Sequence, residues 1–144
     1  MTITLFENSY VTLDFADDYF LNRPNSESWN DLSQIKKEQA LIFATMKVNN
    51  FNFIGEKKVL SQTLEFPRNF YPELPKDIQF AVCEEAFAII ENSVHSKNKK
   101  LGISSVSLGN SSVSYFNKYN TGILLSQDAF TFVSKWTAKN FDIT

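Results

Sequence analysis

Few residues in this 144-residue chain could do covalent chemistry, and their settings argue against it. His95 is the one histidine and Cys83 the one cysteine. Ser-His-Asp or Cys-His catalysis needs an imidazole oriented by its neighbours. His95 instead falls in His95-Ser96-Lys97-Asn98-Lys99-Lys100, a basic, polar helix exit where a cation favours the helix C-terminus. Cys83 sits between apolar helix positions and reads as a small core residue. A single thiol forms no intrachain disulfide and fits a reducing compartment. One histidine and one cysteine cannot supply a zinc site. Asp14, Asp17 and Asp18 could offer oxygens to magnesium, but their spacing reads as the exposed face of a helix. With only four Gly, a Gly-rich phosphate loop is not expected. Neither an enzyme nor a cofactor is expected.

Glu84 and Glu85 lie within the wide apolar arc of Ile78, Ala81, Val82, Ala86 and Ile89, so at least one of them falls near buried surface. A buried carboxylate needs a cation, and Arg68 is the candidate just upstream. A structural ion pair among Arg68, Glu84 and Glu85 is therefore expected, with no pocket to make the glutamates an acid/base pair.

Charge is unevenly spread. Residues 1–35 carry six acids against Arg23 alone, whereas residues 92–118 carry Lys97, Lys99, Lys100 and Lys118 and no acid. This reads as two solvated faces, or as the acidic and basic sides of a subunit that associates head to tail. Lys97, Lys99 and Lys100 form a candidate basic face. The nearest downstream aromatics, Tyr115, Phe116 and Tyr119, lie well beyond them, so the interleaving of a single-strand groove is not evident there. The net charge of −2 also opposes strong sequence-independent nucleic-acid binding.

The elements that must position these residues are mainly helical. Thr12 is the expected cap of a helix over Leu13 to Asn22, with Phe15, Ala16, Tyr19 and Phe20 as its apolar stripe. Residues 23–31 read as a polar loop holding Trp29. A second helix runs from about Leu32 to Asn49, capped by Asn30 or Ser33. Its expected buried side is Ile35, Leu41, Ile42, Thr45, Met46 and Val48, with Lys36, Lys37 and Glu38 exposed. Residues 51–63 are expected to wrap across these two helices. Leu64 to Leu74 is extended, because Pro67, Pro72 and Pro75 hold the preceding residues out of the helical region. Pro75 then opens the main helix, the expected core element, through about Glu91.

Beyond it the period changes. Ile103, Val106, Leu108, Val113 and Tyr115 among serines predict a β-hairpin arm over 102–116, turning at Gly109-Asn110. A lone hairpin is marginal, so Val106, Leu108, Val113 and Tyr115 are candidates for an interface. Ser126 caps a last helix in which Phe130, Val133 and Trp136 share a stripe and Phe132 lies off it; Phe130, Phe132 and Trp136 are further interface candidates. The fold expected is one domain over 1–144: a small bundle of three to four helices, an extended proline-containing segment, the hairpin arm, and a C-terminal helix and tail over 126–144. The start, MTITLFENSY, has no signal-peptide pattern. No window reaches the ~18 apolar residues of a membrane span.

Three groups of residues carry a family resemblance. The first is Asn8-Ser9-Tyr10-Val11-Thr12-Leu13 with Ala16-Asp17-Asp18-Tyr19-Phe20, Trp29 and Gln39-Ala40-Leu41-Ile42-Phe43-Ala44-Thr45. The second is Gln62-Thr63-Leu64-Glu65-Phe66-Pro67-Arg68. The third is Leu74-Pro75-Lys76-Asp77-Ile78 with Ala81-Val82-Cys83-Glu84-Glu85-Ala86. Together with the segment Val106 to Tyr115, they resemble a tailed-phage family whose members are often labelled DnaT-like single-stranded-DNA-binding proteins. That family also resembles the head–tail connectors, or adaptors, that sit beneath the portal. The resemblance covers roughly residues 8–116 and implies a mainly helical virion protein.

It further implies a homo-oligomeric ring of about twelve copies. The ring would be docked to the portal and to a tail or stopper protein, with genomic DNA passing through its channel without sequence-specific binding. Such a protein would reside at the head–tail interface of the virion, and in the host cytoplasm during assembly. The alternative is a DnaT-like single-stranded-DNA-binding replication accessory protein, which predicts oligonucleotide binding with steep salt dependence.

Overall fold

The computed structural model describes residues 2–69, 73–100 and 124–138; for 93–100 it describes the backbone alone. The described residues form five helices and no strand longer than an isolated bridge. The helices are α1 (Leu13–Leu21), α2 (Glu27–Asn30), α3 (Gln34–Val48), α4 (Lys76–Lys100) and α5 (Gln127–Ser134). The mainly helical fold expected from the sequence is present. The hairpin expected over 102–116 and the tail after 138 lie outside the described residues.

Local chemistry sets the helix starts. Thr12 Oγ1 accepts from Phe15 N, Ser33 Oγ from Lys36 N and Ser126 Oγ from Ala129 N, each satisfying an otherwise unpaired amide of a first turn. After α1 the chain turns back at once. Ser26 Oγ donates to the Phe20 and Arg23 carbonyls, and Asn25 takes a positive φ of 60°. Trp29, expected in a loop, is on the short helix α2 and fully buried, stacked on Phe20 with ring centroids 4.5 Å apart. Four residues carry no periodicity that a pattern could report. Burial of a ring this large nevertheless fixes the segment.

α4 is the centre of the molecule. Residues 81–86 are all buried, so that stretch of the helix is enclosed on every side, with α3 and α5 as the main neighbours of α4. α3 meets it through Ala40, Leu41, Ala44, Thr45 and Val48. Ile35 and Met46, expected on that face, are exposed, and Glu38, expected in solvent, is buried. The small side chains of Ala40 and Ala44 let the backbones approach closely, and this rotates the larger residues outward. α4 also runs on through the expected exit at 95–100 to Lys100.

The segment 51–63 does not wrap across the first two helices. Phe53 bridges to Thr137, Ile54 N donates to Trp136 O and Ala138 N to Asn52 O, so the segment clasps the residues that follow α5. It then pairs with the extended stretch, where Lys58 N donates to Pro67 O and Asn69 N to Glu56 O. Phe66 fills the space beneath, edge-on to Tyr10 at 5.7 Å and to Phe53 at 4.8 Å. The Tyr10 hydroxyl donates to Asn49 Oδ1 and accepts from the amides of Glu65 and Phe66, which ties this stretch to the end of α3.

Candidate functional site

The expected ion pair of Arg68 with Glu84 or Glu85 is not formed. Arg68, 7% exposed, is bound by its own neighbourhood. Its guanidinium donates to the carbonyls of Phe53, Ile54, Gly55 and Glu65 and to Glu65 Oε1. A planar fork of donors suits a ring of carbonyls supplied by a turning backbone. Each glutamate has a cation, as a buried carboxylate requires, but a different one. Glu85, fully buried, accepts from Lys47 Nζ at 2.7 Å and from the amides of Leu125 and Ser126 at 2.9–3.0 Å. It thereby fastens the start of α5 to α4 and α3. Glu84 accepts from Arg23 Nε at 2.8 Å and Nη2 at 3.2 Å, and from the Tyr19 hydroxyl.

Above the Arg23–Glu84 pair the surface opens into a cleft of about 520 Å³ between α1 and α4. Its wall is aromatic. Phe15 and Tyr19, one helical turn apart on α1, both stack near Phe80 of α4, with centroids 6.2 and 5.4 Å away and planes 27° and 30° from parallel. Phe132 of α5 meets Phe80 edge-on, at 5.7 Å and 60°. All four rings are half-buried, so each keeps some surface toward solvent. The row therefore runs across three helices.

Cations stand at both ends of the row. Arg23 lines the cleft and lies over Phe87, 4.3 Å from its centroid. Lys135, 58% exposed along its side chain, lies 5.8 Å from the Phe132 ring and 3.9 Å from Asp77. Burial works against the Arg23 charge, but hydrogen bonding and attraction to Glu84 outweigh it and hold the guanidinium more firmly protonated than usual. Burial, then the bond to Glu84, pushes the Tyr19 phenol above its ordinary range. Asp18 and Asn22 form the polar rim.

Such a row can stack planar rings while the exposed Lys135 at one end meets negative charge; Arg23 at the other end is held by Glu84. The sequence placed Phe15 and Tyr19 on one stripe and set Phe132 apart from its own helix's stripe. It gave no sign that Phe80 would join them, because the four residues come from three separate segments. Phe130 and Trp136 are half-buried within the chain, Phe130 against Phe51 at 6.3 Å and Trp136 Nε1 donating to Asp77 at 3.0 Å. Val106, Leu108, Val113 and Tyr115 lie outside the described residues. So do the side chains of Lys97, Lys99 and Lys100, although their backbone forms the last turns of α4.

Cys83 is buried, and burial, then the neighbouring Glu84, pushes its thiol well above the ordinary range. Among the described residues no group of His, Cys, Asp and Glu is arranged to hold a metal ion, and no helix is long and apolar enough to cross a membrane.

No curated protein and no solved structure matches the chain. Residues 3–139 match the family described as "Putative DnaT-like ssDNA binding protein". A match over nearly the whole sequence places this helical chain in that DnaT-like family.

Proposed function

We propose that the protein is a non-enzymatic, single-stranded-DNA-binding accessory protein that stacks bases on the row Phe15, Tyr19, Phe80 and Phe132. The row is the observation that carries this reading: sequence-tolerant stacking on exposed ring surface is how single strands are held without base-specific contacts. Lys135 beside the row is placed for a phosphate. Lys97, Lys99 and Lys100 follow Phe80 on the same helix, about 25 Å along its axis at ~1.5 Å per residue.

Few cations take part. Arg23, Lys37, Lys47, Lys57 and Arg68 are already paired with carboxylates, and Lys135 lies 3.9 Å from Asp77 but is 58% exposed along its side chain. Binding should therefore be modest and should weaken with salt, with a log–log slope of about −3 for four phosphate contacts. A labelled single-stranded oligonucleotide titrated at several salt concentrations tests this. Binding at low salt that falls on changing Lys97, Lys99 and Lys100 to Glu supports the reading; no binding at low salt contradicts it.

A second reading, a head–tail connector beneath a tailed-phage portal, is favoured by a different surface. Ile35, Phe43 and Met46 form an exposed apolar stripe on α3, and Phe43 borders a groove of about 300 Å³ with Ile89 and Ile90 of α4. Contiguous exposed apolar surface marks protein contacts more often than nucleic-acid contacts. On this reading the chain acts as a ring in the virion, binding portal and tail protein. Binding to purified portal protein supports it, and absence from purified particles contradicts it.

A further inference from the structure

We infer that Glu84 and Glu85 are positioning residues that set the two arms of the aromatic row separately, Glu84 the arm on α1 and Glu85 the arm on α5; this rests on the single-strand reading. Phe80, on α4, is the ring at which the arms meet. Both glutamates are buried one turn further along the same helix. Consecutive helical residues point about 100° apart, so the two carboxylates reach different neighbours.

Glu84 reaches α1. It accepts from the hydroxyl of Tyr19, itself a ring of the row, and so restrains that ring against Phe80. It also accepts from Arg23 Nε and Nη2, while Arg23 Nη1 donates to the carbonyls of Pro24 and Asn25, which fixes the exit of α1.

Glu85 reaches α5. Both its oxygens accept from the Leu125 amide at 2.9 Å, and Oε1 accepts from the Ser126 amide at 3.0 Å. Ser126 is the cap of α5, so the capping residue is itself held. Among the described residues, Glu85 supplies the side-chain bonds from the rest of the fold to the start of α5. The other end is held elsewhere, by Asp77 on Trp136 Nε1 and by the backbone at 52–54. Phe132 lies on this helix and Lys135 at its end, so the angle at which α5 meets α4 decides where both stand. Lys47 neutralises Glu85 and Arg23 neutralises Glu84, and no hydrogen-bond partner is common to the two. Buried ion pairs add little net stability over apolar packing, but their directed bonds fix an angle. A row of rings built from three helices depends on such angles.

The test maps the amide shifts induced by a single-stranded oligonucleotide in Glu84→Gln and Glu85→Gln, with thermal melts run alongside. Glu85→Gln should lose the shifts from Phe132 to Lys135 and keep those from Phe15 to Arg23. Its affinity should fall about five-fold or more, the scale of one lost stacking ring. Its salt slope should become shallower by about 0.7, one phosphate contact. Adding Lys135→Ala to Glu85→Gln should then weaken binding by less than about two-fold, because that contact is already gone. Glu84→Gln should do the reverse, losing the shifts from Phe15 to Tyr19 and keeping those from Phe132 to Lys135. A purely structural role would lower the melting temperature and weaken both arms together; that outcome, or an unchanged shift map, overturns the inference and leaves single-strand binding intact. The unaltered protein gives a second readout that needs no variant to fold. Oligonucleotide at ten times its Kd should slow hydrogen exchange of the Leu125 and Ser126 amides about ten-fold, since DNA binds the docked form of α5. Unchanged exchange overturns the inference. An unaltered protein that binds no oligonucleotide removes the single-strand reading and the inference together.

Discussion

Arg23 Nε and Glu84 Oε2 lie 2.8 Å apart across sixty-one residues of sequence, and the pair joins the exit of α1 to the middle of α4. Glu84 is 7% exposed along its side chain, so its charge depends on that partner. Arg23→Ala leaves the carboxylate with the Tyr19 hydroxyl alone. Stability should fall by about 2–3 kcal/mol, the scale of a charge-assisted bond lost from a buried acceptor. Urea unfolding measures this, and an unchanged midpoint would contradict it.

Arg68 should be still less replaceable. Its guanidinium serves four backbone carbonyls and Glu65 at once, holding the turn at 53–55 against the extended stretch. Arg68→Ala should cost about 3 kcal/mol or more. Arg68→Lys should recover little, because a compact ammonium cannot reach carbonyls arranged around a planar fork. Thermal melts of both variants check this; a lysine variant as stable as the parent protein would refute the account of the carbonyl ring.

These two arginines show where the sequence was readable. Thr12 and Ser126 could be assigned as caps, and Ser33 as one of two candidates with Asn30, because a cap is local, joining a side chain to an amide three residues on. The central place of α4 was readable because its apolar residues cover a wide arc. The partner of Arg68 was not, since nearness in sequence to Glu84 says little about which loop folds over the guanidinium. Apolar type alone puts Ile35 and Met46 on the contact face of α3, but the small residues Ala40 and Ala44 set that face. The aromatic row was invisible to any window, as its rings meet only after three helices pack.

Two tyrosines should make the fold sensitive to alkali. Burial pushes the Tyr10 phenol up against the lowering effect of the Phe66 and Glu65 amides, and burial with the Glu84 bond pushes Tyr19 up. Both folded values lie above the ordinary value of about 10, so the unfolded chain gives up these protons first. Their contribution is complete below about pH 10 and is lost as pH rises toward the folded values. Melting temperature should therefore drop between about pH 9 and pH 11, less steeply in Tyr19→Phe. Absorbance at the phenolate band should show Tyr10 and Tyr19 ionising only as the protein unfolds. A melting temperature constant over that range would contradict this.

Cys83 should be inert in the folded protein. Its thiol is buried and held protonated by burial and by the Glu84 charge, while thiol reagents attack the thiolate. Labelling near pH 8 should proceed only as fast as the protein opens and should become rapid in denaturant. Full labelling of the native protein within seconds would show that α4 is not enclosed as described.

On the proposed function, single-stranded DNA lies along the row from Tyr19 to Lys135, and NMR shift mapping on adding an unlabelled oligonucleotide tests this placement. Shifts are expected in the amides from Phe15 to Arg23, around Phe80, and from Phe132 to Lys135, with the α3 stripe at Ile35, Phe43 and Met46 unmoved. Shifts confined to that stripe, or none at low salt, would contradict it.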